Sequence, residues 1–399
     1  EAELASYKKI ELPMSFCLNN LKAEGETMAA LKGYKGVLDM ALAHSRMDEK
    51  TLEAMWTAIR EALPELREYF KAKGRLLGHE NGLPFYDLFA PVGQSTRTYT
   101  VEEARALLLD LFGKFCPEMG EMMRTAFDEG WIDMYPREGK SGGAWCGNFT
   151  EQYYENGERV APVVGVVTNY ARPTRSTPTL LNLDETKTLF HEFGHALHSL
   201  FRKVEYRGLA DVEGDFVELP SQVMENWATE KQWLDLWAEH YETGEKMPAE
   251  LVEKIVAAKN YLAAYANVRQ LSFGMTDMAW HTLKEPFTGD VEAFEKQSMA
   301  PAQVLPVVDG TAMNPAFTHI FSGGYAAGYY GYKWAEVLEA DAFKAFEETG
   351  SILGGPAADA FRKHILTQGG HEHPMKLYVA FRGHKPETKA LIEKMGLTK

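Results

Sequence analysis

The chain has 399 residues, 45% hydrophobic and 25% charged, with a formal net charge of −15 at pH 7. That length suffices for a substantial core, in one large domain or two, and the composition is that of an ordinary globular protein. The negative balance argues against a nucleic-acid partner and against an anionic membrane surface. No apolar run reaches transmembrane length and no secretory signal opens at Glu1, and Cys17, Cys116 and Cys146 are odd in number and widely spaced. Such cysteines suit reduced thiols in a cytoplasm better than a disulfide framework.

From about Leu12 to Phe127 the sequence reads as successive helices, with turns at Gly33–Gly36, Gly82–Pro84 and Pro91–Gly93. Leu52, Met55, Trp56, Ile59 and Leu63 have the spacing of a buried helical stripe. Glu80–Pro91 reads as a connecting loop with aromatic anchors. Between Trp131 and Tyr170 glycines and β-branched residues replace helix formers, and Trp131–Tyr135, Gly142–Cys146 and Val163–Thr168 read as short strands. They are too few for a large sheet. The exposed edge of a small one can pair with an extended peptide, although a purely structural ribbon is the alternative.

The stretch Thr186–Phe201 has apolar residues at Leu189, Phe193, Leu197 and Leu200, which is helical periodicity. Asp184 is the expected N-cap ahead of Glu185. On another face His191 and His195 stand one turn apart, so two neutral imidazoles project side by side and can grip one zinc ion. Glu192 follows the first histidine and can lean toward a zinc-bound water to take its proton. Gly194 weakens the helix interior by roughly 1 kcal/mol relative to alanine, which predicts the close approach of another segment. His198 shares the face and is expected to pack rather than to ligate.

Next comes Asp215–Trp227, where Pro220 fits the first turn of a new helix and Glu218, Gln222 and Glu225 lie along one face. A catalytic zinc site wants three protein ligands and an open position. Glu218 is the candidate for the third. Glu225 can instead orient a ligating imidazole, and either glutamate by itself could be half of a surface ion pair. Pro248–Leu283 reads as one or two long helices, followed by a turn at Pro286–Gly289. In His319–Trp334, Tyr325, Tyr329 and Tyr332 recur at i, i+4 and i+7 and form one polar-tipped stripe if helical. Gly323, Gly324, Gly328 and Gly331 favour close approach and hinge motion there, and the phenols could stabilise an oxyanion. His371 and His373 do not share a helical face and read as solvated.

Phe190–His198, Asp215–Gln222 with Met224–Trp227, His319–Trp334 and the closing Phe381–Gly383 resemble the zinc oligopeptidases that include thimet oligopeptidase, oligoendopeptidase F and peptidyl-dipeptidase. The resemblance implies a mainly α, multi-helical zincin-type catalytic domain, with a small β-sheet beside the HExxH helix forming one wall of a deep substrate cleft. It implies one zinc ion on His191, His195 and Glu218, with Glu192 as general base. His319, Tyr325, Tyr329 and Tyr332 would contact substrate or oxyanion, Glu225 would support a ligand, and Gly142, Gly143 and Ala144 resemble the family's substrate-edge strand. Ahead of about Pro136 the sequence is more similar to oligoendopeptidase F, and after Gly142 to peptidyl-dipeptidase and thimet oligopeptidase.

The expected organisation is a helical lobe over 1–135 and a zinc-binding catalytic core over 136–399, or one continuous domain. The expected activity is hydrolysis of short peptides in the cytoplasm. The alternatives are release of C-terminal dipeptides, and a non-catalytic peptide-binding module or half-enzyme. Family members carry a further helical region in front, so a separate N-terminal segment or self-association is the partner to look for besides peptide.

Overall fold

The computed structural model describes residues 2–79, 82–84, 87–88, 124, 132–174, 179–238, 245–257, 260, 263–305 and 307–396. Most of the loop Glu80–Pro91, the turn Pro91–Gly93, Trp131, Cys116 and, apart from Arg124, the last part of the expected helical stretch, from 94 to Phe127, lie outside them. Ahead of the sheet run α1 (Ala2–Tyr7), α2 (Glu11–Leu31), α3 (Val37–His44) and α4 (Glu49–Leu76). After it come α5 (Leu183–Phe201), α6 (Glu218–Glu225), α7 (Lys231–Trp237), α8 (Ala249–Ala257), α9 (Ala263–His281) and α10 (Val291–Met299). The C-terminal part adds α11 (Thr318–Phe321), α12 (Tyr330–Glu348), α13 (Pro356–Phe361), α14 (Pro374–Arg382) and α15 (Thr388–Lys394). The fold is mainly α with a small sheet, as the sequence leads one to expect.

Asp48 caps α4 by accepting a hydrogen bond from the Thr51 amide. The expected stripe Leu52, Met55, Trp56, Ile59 and Leu63 is buried, and it meets Ala264, Val268 and Leu271 of α9. A second cluster joins Phe190, Phe193 and Leu197 of α5 to Leu219 and Val223 of α6 and to Phe343 and Phe346 of α12. Each large apolar side chain buried in this way contributes about 1.5–3 kcal/mol. A third gathers Phe273 and Trp280 of α9 with Phe317, Ile320 and Tyr329.

The sheet has the order β1–β5–β2, where β1 is Ile132–Asp133, β2 is Trp145–Thr150 and β5 is Val163–Val167. β5 runs parallel to β1 and antiparallel to β2, with Cys146 opposite Val166. Among the described residues β2 therefore has one free edge. The strand expected at Gly142–Cys146 begins only at Trp145, and Gly142, Gly143 and Ala144 form the bend that precedes it. The reason is Gly143, whose φ of +81° is incompatible with a ladder. β3 (Tyr153–Glu155) and β4 (Glu158–Val160) make a hairpin whose two turn residues, Asn156 at φ 52° and Gly157 at φ 84°, adopt the left-handed conformation that such turns demand.

Candidate active site

α5 is fixed at both ends. At its start Asn182, not Asp184, is the N-cap: its side chain accepts from the Glu185 amide at 2.9 Å while Glu185 accepts from the Asn182 amide at 2.9 Å. This reciprocal capping box moves the helix start ahead of the expected position, and Asp184 lies in the first turn, where its charge complements the dipole. At its end Arg159, from the hairpin, donates to the carbonyls of Leu200 at 2.8 Å and Arg202 at 2.9 Å. Those are the orphan carbonyls of the last turn.

In the middle of α5, Gly194 faces α6. A Cβ there would fall 2.4 Å from Ser221 Cα and 2.6 Å from the Pro220 carbonyl oxygen, so the close approach anticipated at this glycine is present. It brings Glu218 over the two histidines. Glu218 Oε2 lies 3.2 Å from His191 Nε2 and 3.3 Å from His195 Nε2. Two donors held at about 2.0–2.1 Å by one tetrahedral ion stand about 3.3 Å apart, so these atoms already have ligand spacing. Ser221 donates to Glu218 Oε2 at 2.9 Å and Tyr325 to Oε1 at 2.9 Å. His191 Nδ1 meets Glu225 Oε1 at 2.8 Å, which leaves Nε2 turned toward Glu218. Burial opposes the charge of Glu218, yet the hydrogen bonds from His191 and His195 hold its carboxyl well below the usual carboxylate range.

Glu192 is 5% exposed, and its Oε2 has no hydrogen-bond partner among the described residues. Burial pushes its carboxyl up despite the two neighbouring histidines. The group borders a cleft of about 730 Å³ whose walls carry Gly142, Gly143 and Ala144 on the sheet side and His319, Tyr325 and Tyr332 on the other.

The tyrosines arrive there differently from the helical stripe the spacing suggests. α12 begins only at Tyr330, and Ala327 at φ 53° breaks the helix between Tyr325 and Tyr329. The rings still meet: Tyr325 and Tyr332 stack at 4.9 Å between centroids, and the Tyr329 ring lies 5.1 Å from that of Tyr332. Tyr329 is 6% exposed and packs against Phe273 and Phe317 behind the cleft wall. Burial, followed by the charge of Glu218, raises the phenols of Tyr325 and Tyr332 above the usual range, so both are donors at neutral pH. His198 is fully packed and held neutral by burial, then by Arg202 and His195.

Sequence reasoning missed Ser221, Arg159 and Arg202. Arg202 lies at the α5 end of the cleft, 3.1 Å from Glu151. Ser221 was within reach of sequence reading, since it stands one turn after Glu218 at a helix start. Arg159 was not, because nothing local ties a hairpin arginine to a helix end 41 residues on.

The model of peptidase family M3 matches residues 1–397. Oligopeptidase A of Escherichia coli (strain K12) is 44% identical over 275 residues, covering 67% of this chain and 40% of that protein. Dipeptidyl carboxypeptidase of Salmonella typhimurium is 41% identical over 269 residues, covering 66% of this chain and 39% of that one. PZ peptidase A, solved with an inhibitor, superposes with a TM-score of 0.70 at 16% identity over 98% of this chain and 65% of its own. The chain thus spans about two-fifths of the length of these curated relatives. With the family model matched almost end to end, the chain belongs to peptidase family M3.

Proposed function

We propose that the chain is a zinc-dependent oligopeptidase that cuts short peptides. One observation carries the reading: His191, His195 and Glu218 converge next to the buried Glu192, whose Oε2 has no partner among the described residues, on the floor of a cleft. Two imidazoles and a carboxylate fit one zinc ion and leave a fourth position free. Bound there, zinc supplies Lewis acidity, bringing the pKa of a water to about 7 and polarising a carbonyl.

The residues of the chain do the rest. Glu192 takes the proton of the attacking water on its free oxygen and returns it to the leaving amine nitrogen. Its raised proton affinity, a result of burial, suits a group that must hold that proton between two transfers. Glu225 fixes the ring of His191 through Nδ1. Tyr325, whose hydroxyl donates to Glu218 in this structure, and Tyr332 beside it line the cleft, and with peptide bound their O–H groups would turn to the oxygen on which negative charge develops. His319 lines the wall with them, while Tyr329 supports the wall from behind. The free edge of β2 and the bend Gly142–Ala144 offer backbone groups to an extended peptide.

Dipeptide release requires a cation for the free carboxylate. Arg202, which lines the cleft and pairs with Glu151 at 3.1 Å, is the arginine to test for that role. Cys17 and Cys146, free among the described residues, support a reducing compartment such as the cytoplasm. Among the described residues no helix is long and apolar enough to cross a membrane.

Elemental analysis and peptide kinetics on Glu192→Gln, Glu218→Ala and Glu225→Ala test the reading. Glu192→Gln is expected to keep its metal and lose about 100 to 10,000-fold in turnover. Glu218→Ala loses the metal, whereas Glu225→Ala weakens affinity or activity by about 10 to 100-fold. Near wild-type turnover in Glu192→Gln would remove it as the base, and metal retained tightly by Glu218→Ala would remove that ligand. A chain that binds peptide yet hydrolyses none when loaded with zinc would be the binding module instead.

A further inference from the structure

We infer that Asp277 is a positioning residue for the tyrosine segment, acting through Tyr325; the inference rests on the reading of Tyr325 as a transition-state donor given above. Asp277 lies on α9, outside the cleft lining, and its side chain is 0% exposed. Its two carboxyl oxygens do separate work. Oδ1 accepts from the Ala327 amide at 2.9 Å and Oδ2 from the Tyr329 amide at 2.9 Å. His281, one turn further along α9, places Nδ1 2.8 Å from Oδ1.

Both amides belong to the turn that leads into α12, where N–H groups lack intrahelical partners and where a negative charge is favoured. A cap alone would explain one of them. The second bond falls on Ala327, a non-glycine residue held at φ 53°. An L-residue does not stay in that region unless its surroundings impose it. Ahead of it stand Gly323 and Gly324, the latter at φ 90°, so the segment has a permissive stretch on one side and an anchored residue on the other. Between the two sits Tyr325, whose hydroxyl donates to Glu218 at 2.9 Å. Asp277 therefore fixes the direction from which the phenol enters the cleft, from two residues away along the chain.

The test is a double-mutant cycle in kcat and KM on a fluorogenic short peptide. It uses the metal-loaded chain with Asp277→Asn, Tyr325→Phe and both together. Asn preserves the shape of Asp but turns an N–H₂ toward one of the two amides, so one bond is lost and the turn relaxes. A displacement of about 1 Å at a reacting group costs on the order of 100-fold, so Asp277→Asn is expected to lower kcat by about 10 to 100-fold with little change in KM. The double variant is expected to be no slower than Tyr325→Phe alone. Multiplication of the two losses overturns the positioning role, because a general weakening of the fold acts independently of the phenol. Wild-type kcat in Asp277→Asn overturns it as well. Wild-type kcat in Tyr325→Phe would instead sink the reading of the tyrosine on which the inference stands. Should Asp277→Asn fail to fold, His281→Asn, which keeps a donor near Oδ1, carries the same cycle with a smaller loss in the same direction.

Discussion

Asp215 stands three residues ahead of Glu218 and, like Glu218, is buried, but among the described residues no histidine shifts its titration. Burial and then the charge of Glu213 push its carboxyl up to about 7, even though Tyr330 donates to Oδ2 at 3.4 Å. An ordinary aspartate in the unfolded chain titrates near ~3.9. Between those values the folded chain keeps a proton that the unfolded chain has released. The stability this contributes is complete below about pH 4 and is lost as the pH rises through about 7. Asp215→Asn is neutral throughout, so its melting temperature should fall less steeply than that of the wild type across this window. Parallel melting curves from pH 4 to pH 7 would refute the assignment. At this scale His191, His195, Glu192 and Glu218 are legible in the sequence because their geometry is local to a helix or to the start of the next one. Asp277 is not, since its partners lie 50 and 52 residues away and no short-range spacing connects them.

At the scale of elements, the geometry of the proposed metal ligands depends on how closely α6 lies against α5. Gly194→Ala would drive a methyl group into backbone atoms of Pro220 and Ser221, neither of which is the yielding end of a flexible side chain. Overpacking of this kind costs about 1–3 kcal/mol, occasionally more. Because the displaced segment carries Glu218, the variant should lose metal affinity together with thermal stability. Unchanged metal binding in Gly194→Ala would mean that α6 can shift without moving its carboxylate. Sequence pattern identified α5 and its close contact but misplaced the cap, since Asn182 and Glu185 satisfy each other and Asp184 cannot take part. It grouped Tyr325 with Tyr332 through a helical period, whereas the structure joins them by ring stacking across a broken turn. The β3–β4 hairpin went unread, although Asn156–Gly157 between two short polar strands is a strong hairpin signal.

Across the whole molecule, the proposed ligands bridge helices that share one core with α12, while the turn carrying Tyr325 packs on the cluster built around Phe273 and Trp280. A metal bound to α5 and α6 stabilises the folded state by mass action, about 2.7 kcal/mol when free metal is 100 times its Kd. Stripping it with a chelator should lower the melting temperature by a few degrees, reversed by adding zinc back. An identical melting temperature with and without chelator would mean that the ion is held loosely or elsewhere. The two halves of the site also differ in how far the chain must travel to build them. His191 and Glu225 are 34 residues apart in sequence, whereas Tyr325 reaches Glu218 across 107. Folding slows as native contacts grow longer in sequence, and we expect the longer of these two contacts to close last. During refolding from denaturant, zinc uptake should therefore run ahead of recovered hydrolysis, giving a transient in which the chain is already a metalloprotein and not yet a catalyst. Stopped-flow recording of a zinc indicator beside peptide turnover would resolve the lag, and simultaneous recovery of both signals would show that the site assembles in a single step.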